Sequence, residues 1–310
     1  VGGVVVTTNS FDSLSDVSAI VYGTVLGVGA AGRGICYSST ITPPTIANEN
    51  VPGGTGSGDF SAQIVDLTSG ELYSVRAYAY DLSGNTVYGE TLSFSTRLCP
   101  DTIQDASGNW YDVVEIGGRC WMAENLKTAN CLESDFILVP DGQGGTISSS
   151  APTTTIPFMA GPPNGGWSTD NTVKRCNYGW QSAPQNSYGH LYNWYAANDP
   201  RKVCPSGWEV PSRSDWQQLV DSLGGMSQAG AALMASPPAW NGTNTSGFLG
   251  LPAGALNSPL GFTNGDLTSW WTSTPNGLDS AYSFDLNSST NVHESGNIKW
   301  HGRSVRCIKQ

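Results

Sequence analysis

Short segments in which hydrophobic and polar residues alternate recur through the first hundred residues of the chain. They are residues 4–8 (VVVTT), 19–22 (AIVY), 34–37 (GICY) and 60–65 (FSAQIV). Their spacing of about 8–12 residues is typical of an all-β sandwich. Pro43-Pro44 and Gly53-Gly54 stand between them as turn signals. The pattern predicts a β-sandwich over residues 1–97.

The clearest strand pattern covers residues 73–80, where Tyr73, Val75, Ala77 and Ala79 fall on one face. The residues before it, 67–73 (LTSGELY), resemble the tyrosine corner of fibronectin type III domains, in which a tyrosine hydroxyl bonds to upstream backbone. The strings RGICYS, GGTG, VRAYA and YG follow in the order seen in the type III-like modules of secreted Bacteroidetes proteins. The resemblance implies an immunoglobulin/fibronectin III-like β-sandwich and a buried, unpaired Cys36.

The second part, residues 98–310, is rich in tryptophan and cysteine and has little regular periodicity. Residues 212–223 predict a helix, since Trp216, Leu219, Val220 and Leu223 form one apolar stripe. Ser212 or Ser214 can cap its start, and two glycines follow its end. A second short helix is predicted over residues 189–197. Residues 134–172 predict a long surface loop, which is often functional at such a length.

Composition narrows the class of protein. The 310 residues suggest two domains, and a charged fraction of 13% with few strong helix formers suggests a mainly β protein with an α+β C-terminal domain. The net charge of −11 argues against nucleic acid and anionic membranes as partners. No apolar run approaches the ~20 residues that would predict membrane insertion. Because the chain starts at Val1 without a signal peptide, we expect a processed, mature product.

The seven cysteines indicate in which cellular compartment the protein is found. None forms a C-x-x-C pair and none has a histidine at zinc-ligand spacing, so no metal site is expected. Disulfides are the better interpretation, which places the protein outside the reducing cytosol as a secreted, extracellular, cell-surface protein.

A set of strings in the second part arrives in the order of one family. They are CP (99–100), GNWY (108–111), IGGRCWMAENL (116–126), YGHLYNW (188–194), CPSGWEVP (204–211), LGG (223–225), LPAG (251–254), WWTST (270–274) and SVRC (304–307). Together they resemble the Fibrobacter succinogenes major paralogous domain, an extracellular module. The resemblance implies a disulfide-bonded C-type-lectin-like domain, related also to sulfatase-modifying factors, over residues 98–310.

The resemblance and the nesting of the cysteines favour one pairing among the 15 that six cysteines allow. The expected bonds are Cys99–Cys120, Cys131–Cys176 and Cys204–Cys307, which leaves Cys36 free.

The sequence offers few candidates for catalytic or metal-binding residues. A formylglycine-generating enzyme would need a reactive cysteine pair near the last strand, where only Cys307 lies. A lectin-type calcium site would need a Glu-Pro-Asn-like string, and none is present. His190, His293 and His301 lie far apart without a nucleophile motif. We therefore expect no catalytic residue, no cofactor and no metal.

Two functions remain open. The first is a non-catalytic structural subunit that assembles with copies of itself into an extracellular filament or surface layer, with Val4, Val5, Val6, Thr7 and Thr8 as the assembly strand. The alternative is that the same segment is simply the first strand of the chain's own sandwich. The second is an adhesin or carbohydrate-binding module that contacts surface glycans through Trp167 and Trp180, which lie in or near the long loop.

Overall fold

The computed structural model describes residues 3–131, 139–140, 146–147, 155–157, 172–178, 188–257, 261–263 and 266–310. The chain forms two compact units, Val1–Pro100 and Asp101–Gln310. The boundary predicted after residue 97 lies close to this division. Both units are mainly β, as the composition predicts.

The first unit is a sandwich of two antiparallel sheets. One sheet has the strand order β1-β2-β5 and the other β4-β3-β6-β7, with β8 also paired to β6. The strands are β1 (Val5–Asp12), β2 (Ala19–Leu26), β3 (Gly32–Ser38), β4 (Glu49–Pro52), β5 (Gly58–Ile64), β6 (Leu72–Tyr80), β7 (Thr86–Tyr88) and β8 (Leu92–Ser95). This is the expected fibronectin III-like arrangement.

Alternation in the sequence explains which face of each strand is buried. In β2 the residues Ala19, Val21 and Val25 are fully enclosed, whereas Ile20, Tyr22 and Thr24 are partly exposed. The inward position 23 holds glycine because a Cβ atom there would come within 2.7 Å of the Phe60 ring. The two inner faces together make the core of the sandwich.

The predicted tyrosine corner is present. The Tyr73 hydroxyl oxygen accepts a hydrogen bond from the Thr68 backbone N–H at 3.0 Å. The Tyr73 ring is 7% exposed and stacks on Phe94 with ring centroids 6.0 Å apart. The side chain therefore fixes the chain's entry into β6 and also fills the core.

In its described residues, the second unit combines small sheets with three short helices. Its elements are β9 (Thr102–Gln104), β10 (Trp110–Ile116), β11 (Arg119–Met122), β12 (Val139–Pro140), β13 (Thr146–Ile147), β14 (Arg175–Cys176), β15 (Leu191–Tyr192), α1 (Trp194–Ala197), β16 (Trp208–Glu209), α2 (Arg213–Ser222), α3 (Ala229–Leu233), β17 (Leu267–Pro275), β18 (Ser280–Asn287), β19 (Val292–Ile298) and β20 (Ile308–Lys309). A five-stranded sheet has the order β16-β20-β11-β10-β9, and β17-β18-β19 form a second sheet.

The helix predicted over residues 212–223 is α2. Ser212 accepts a hydrogen bond from the Asp215 N–H, and the Asp215 carboxylate accepts one from the Ser212 N–H, which completes a capping box. The second predicted helix is shorter than expected, because Leu191 and Tyr192 pair with Arg175 and Cys176 in a two-stranded ribbon. Helix α3 was not predicted. Most of the predicted loop at 134–172 lies outside the described residues.

Four of the seven cysteines are in disulfides. The predicted bond between Cys204 and Cys307 is present and joins positions 103 residues apart. Cys99 and Cys120 are also disulfide-bonded. Cys36 is a free thiol in the core of the first unit, and burial raises its pKa to about 11.

The predicted bond between Cys131 and Cys176 is wrong, since both are buried free thiols. Cys176 faces Leu191 and packs with Leu256. Burial raises the pKa of both thiols, that of Cys131 to about 11, so both stay protonated at neutral pH.

Replacing Tyr73 with Phe should lower the free energy of unfolding by about 1 kcal/mol, the typical net contribution of one hydrogen bond. The measurement is urea denaturation. Tyr80→Phe is the matched control, because it removes a hydroxyl from the same strand and should change stability by less than about 0.5 kcal/mol. Equal effects of the two substitutions would contradict a tyrosine corner.

Alkylation under denaturing, non-reducing conditions should modify three cysteines, Cys36, Cys131 and Cys176. Peptide mass spectrometry identifies the modified positions, and alkylation after reduction, which should modify all seven cysteines, is the control. Modification of Cys36 alone would restore the Cys131–Cys176 bond and overturn the structural assignment.

Candidate functional site

Three of the strings that carry the family resemblance meet inside the second unit, at Asn125, Trp270 and Arg306. Asn125 Oδ1 accepts hydrogen bonds from Trp270 Nε1 at 2.7 Å and from Arg306 Nε at 2.9 Å. Asn125 Nδ2 donates to the Tyr188 carbonyl oxygen at 3.0 Å and to Ser304 Oγ at 3.2 Å. All four hydrogen-bonding positions of the amide are therefore used within the fold.

Arg306 is a buried cation held by backbone carbonyls. Its Nη1 donates to the carbonyl oxygens of Met122 and Phe248, and its Nη2 donates to that of Leu249. The guanidinium carbon lies 3.9 Å from the centroid of the Phe248 ring. Burial lowers the pKa of Arg306 to about 9, so the group stays charged at neutral pH.

Aromatic rings enclose this centre. Trp216 stacks on Phe284 at a centroid distance of 5.3 Å and lies 5.5 Å from Trp270. Phe248 meets Trp270 edge to face at 5.4 Å. Asn125 and Arg306 hydrogen-bond to each other and to neighbouring groups of the fold, and the rings around them pack together, although the buried Trp216 Nε1 has no hydrogen-bond partner among the described residues. The family strings therefore build a core here.

A second buried arginine organises the neighbouring face of the β17-β18-β19 sheet. Arg303 Nη2 donates to the Asn257 and Asn297 Oδ1 atoms, both at 2.7 Å. Its Nη1 donates to the Leu256 carbonyl oxygen at 3.0 Å. Burial lowers the pKa of Arg303 to about 10, while Asp285 acts in the opposite direction. This arginine is likewise a structural group.

His190 is half-buried between two polar partners. Its Nδ1 lies 2.7 Å from Asn177 Oδ1, and its Nε2 lies 3.2 Å from Arg175 Nη1. Because the guanidinium can only donate, Nε2 accepts and Nδ1 carries the proton of a neutral imidazole. Burial, with the Arg175 charge as a smaller cause, lowers the pKa of His190 to about 4. Such a group is a poor general base at neutral pH.

Among the residues that the structure describes, no three His, Cys, Asp or Glu side chains are grouped as metal ligands would be. None of the described helices is long and apolar enough to cross a bilayer.

The predicted assembly strand, Val4 to Thr8, belongs to the chain's own sandwich. Val6 and Thr8 are 7% and 5% exposed and point into the core, whereas Val5 is 56% exposed. The Thr8 hydroxyl also accepts a hydrogen bond from the Ala77 backbone N–H of the opposite sheet at 2.9 Å. Of the two interpretations that the sequence allowed, the structure supports the first strand of the sandwich. β1 is nevertheless the outermost strand of its sheet.

Beside β1 lies a group of exposed aliphatic side chains, Val5, Leu26, Val28 and Leu82, which we call the apolar pole. Val5 and Leu26 are direct cross-strand partners and are 56% and 57% exposed. Val28 follows in the next loop, and Leu82 packs beside Gly29, where a Cβ atom would come within 2.6 Å of it. The residues of the apolar pole come from three segments that are far apart in sequence. The sequence therefore did not predict it.

The aromatic residues proposed for glycan contact, Trp167 and Trp180, lie outside the described residues. Trp270 and Trp271 are 1% and 0% exposed and belong to the core. Trp110 is 60% exposed at the start of β10, and sequence reasoning did not single it out. The alternation of hydrophobic and polar residues did not indicate its exposure, because Trp110 is the first residue of its strand.

The low pKa of His190 gives a pH dependence. Since its pKa is about 4 in the folded state against an ordinary 6.5, its contribution is full above pH 6.5 and is lost as the pH falls towards 4. His190→Gln should flatten the loss of stability over this range by roughly 2–3 kcal/mol. Urea denaturation at a series of pH values measures the effect. An identical change in His293→Gln, which alters an exposed histidine, would contradict the assignment.

Comparison with known proteins gives a family for the second unit and weak similarities for the first. No curated protein matches the chain. Among solved structures, the sensor domain of the anti-sigma factor RsgI4 of Pseudobacteroides cellulosolvens is 21% identical, with a TM-score of 0.25 over 32% of this chain and 99% of that one. A fibronectin type III domain of the human KIAA0970 protein is 14% identical, with a TM-score of 0.24 over 34% and 85%.

The sequence model of the Fibrobacter succinogenes major domain matches residues 114–309. The match includes Asn125, Trp270 and Arg306, the three residues that form the buried centre, and covers well over half of the sequence. The chain therefore belongs to the Fibrobacter succinogenes major domain family.

Proposed function

We propose that this protein is a non-catalytic structural protein of the cell exterior that assembles with copies of itself through the apolar pole. The exposure of four aliphatic side chains in one place carries the proposal. Together they present a few hundred Å² of apolar surface, a size at which patches on soluble proteins are often interaction sites.

The extracellular location is supported by the disulfides. Cys204–Cys307 closes a loop of 103 positions, and Cys99 and Cys120 are also oxidised. Disulfides of this kind persist in oxidising compartments and are rare in the cytosol.

The absence of catalysis is supported by the use of the polar groups in the interior. The buried polar side chains hydrogen-bond to backbone carbonyls and side-chain amides of the fold, as Asn125, Arg303 and Arg306 do. His190 is held neutral between Asn177 and Arg175. An enzyme needs an acid, base or nucleophile directed at a substrate, and these groups are directed at one another.

A second copy of this chain is the occupant that the pole fits best. Copies repel one another at long range because each carries a net charge of −11, so association between them needs a short-range apolar contact. The pole carries no charged side chain and adjoins β1, the outermost strand of its sheet. Edge strands of this kind pair readily with strands of other chains.

We also propose that the second unit has a C-type-lectin-like fold. Its short helices α1 and α2 and its small sheets, joined by much irregular backbone, support this assignment. A second candidate function, adhesion to surface glycans, is favoured by Trp110, because exposed tryptophan rings stack well on the apolar faces of sugars.

Leu26→Asp should abolish self-association, because it places a charge at the centre of the apolar pole. Leu278→Asp is the matched control, since Leu278 is 92% exposed in the other unit. Both variants should keep their stability within about 0.5 kcal/mol, as expected for exposed positions. Deletion of β1 is a poorer test because it would also remove Val6 and Thr8 from the core.

Sedimentation velocity over a range of concentrations and negative-stain electron microscopy measure the assembly. The unmodified chain and Leu278→Asp should form oligomers or filaments at concentrations at which Leu26→Asp remains monomeric. A chain that stays monomeric at every concentration, or a Leu26→Asp variant that assembles normally, would show that the proposal is wrong.

A further inference from the structure

A cavity of about 280 Å³ opens on the second unit next to the Cys204–Cys307 disulfide. It is enclosed by the end of α1, the turn that follows it, strand β16 and the last residue of the chain. The cavity is independent of the apolar pole, which lies in the first unit.

The floor of the cavity is apolar and its rim is polar. Ala197, Val203, Trp208 and Val210 are all buried, at 4%, 2%, 4% and 8% exposure, and they form the floor. The exposed side chains of Asn198, Lys202, Glu209 and Gln310 surround the opening. This combination, an apolar surface with a few convergent polar groups, is typical of small-molecule sites.

Several of these polar groups are available to a ligand. Within the described part of the chain, the Trp208 indole N–H and the Asn198 side-chain amide make no hydrogen bond, and the indole nitrogen is not sealed from solvent. Glu209 Oε2 has only a long contact of 3.4 Å with Gln310 Nε2. The rim therefore offers both donors and acceptors beside the apolar floor.

The chemistry of the lining excludes other ligand classes. Asp199 is engaged by the Arg201 guanidinium at 2.7 Å, which leaves Glu209 as the open carboxylate and gives too few ligands for a divalent cation. One lysine beside two carboxylates does not favour an anion. The volume of about 280 Å³ lies at the lower end of ligand pockets and suits one small ring.

We propose that this cavity binds one unit of a neutral sugar. The C–H face of a pyranose ring is suited to the small apolar floor, and its hydroxyl groups are suited to a rim that holds both donors and acceptors. An open, shallow site for one ring should bind with a Kd of roughly 1 mM, as expected from the small binding energy per atom that such contacts supply. The proposal does not depend on self-assembly, and monomeric protein can be used to test it.

The test is titration of the isotope-labelled full-length chain with methyl glycosides of glucose, galactose, mannose and N-acetylglucosamine, followed by NMR. At least one glycoside should bind, shift the indole N–H signal of Trp208 and show saturation transfer to its ring protons. Asn198→Ala and Glu209→Ala should each weaken binding about tenfold. Gln218→Ala and Glu115→Ala, which remove exposed side chains of the same kinds elsewhere in the unit, should leave it unchanged.

The melting temperature of each variant shows whether it is folded, and the shift of the Trp208 signal in the unmodified chain provides a second readout that needs no variant. Failure of all four glycosides to bind would overturn the proposal. So would binding that shifts the Trp110 signal and is lost in Trp110→Ala, since the sugar would then occupy the exposed face of β10.

Discussion

The burial of one positive charge governs the construction of the second unit. Moving a guanidinium out of water costs several kcal/mol unless its donors are satisfied, and no carboxylate is hydrogen-bonded to Arg306 among the described residues. The carbonyl groups of Met122, Phe248 and Leu249 and the amide of Asn125 supply the acceptors instead. These segments must therefore be in place together, and the aromatic rings around them are positioned by the same requirement.

Patterns among residues that are close in sequence predicted most of the first unit and helix α2 of the second unit. Strand alternation, the tyrosine corner at Tyr73 and the capping box of α2 all depend on residues within a few positions of one another, and the structure contains each of them. The failures involve distant partners. The helix expected over residues 189–197 lost its first turn because Leu191 and Tyr192 pair with a strand that lies more than ten residues away. The predicted Cys131–Cys176 bond is wrong because the order of cysteines along the chain does not reveal which thiols the fold brings together.

The candidate sites show the same division between local and distant information. Three consecutive valines, Val4 to Val6, did not reveal which side chains of β1 point into the core. Only the burial of Val6 and Thr8 in the structure decides it. The apolar pole combines residues from three segments, so no window of sequence contains it. Asn125 and Arg306 are 181 positions apart, and family resemblance marked both without showing that they touch. The cavity beside Trp208 depends on a turn, a strand and the last residue of the chain, whose meeting is a property of the fold alone.

The position of β20 has a consequence for how the second unit forms. Ile308 and Lys309 form an interior strand of the five-stranded sheet, between β16 and β11, and Arg306 and Cys307 directly precede them. A polypeptide is synthesised from its amino terminus, so this interior strand, the buried cation and one half of a disulfide are the last parts of the second unit to be made. The first unit has all its strands by then and can close early. The second unit can complete its core only after this strand has been made, so its earlier segments are without their final partners until then.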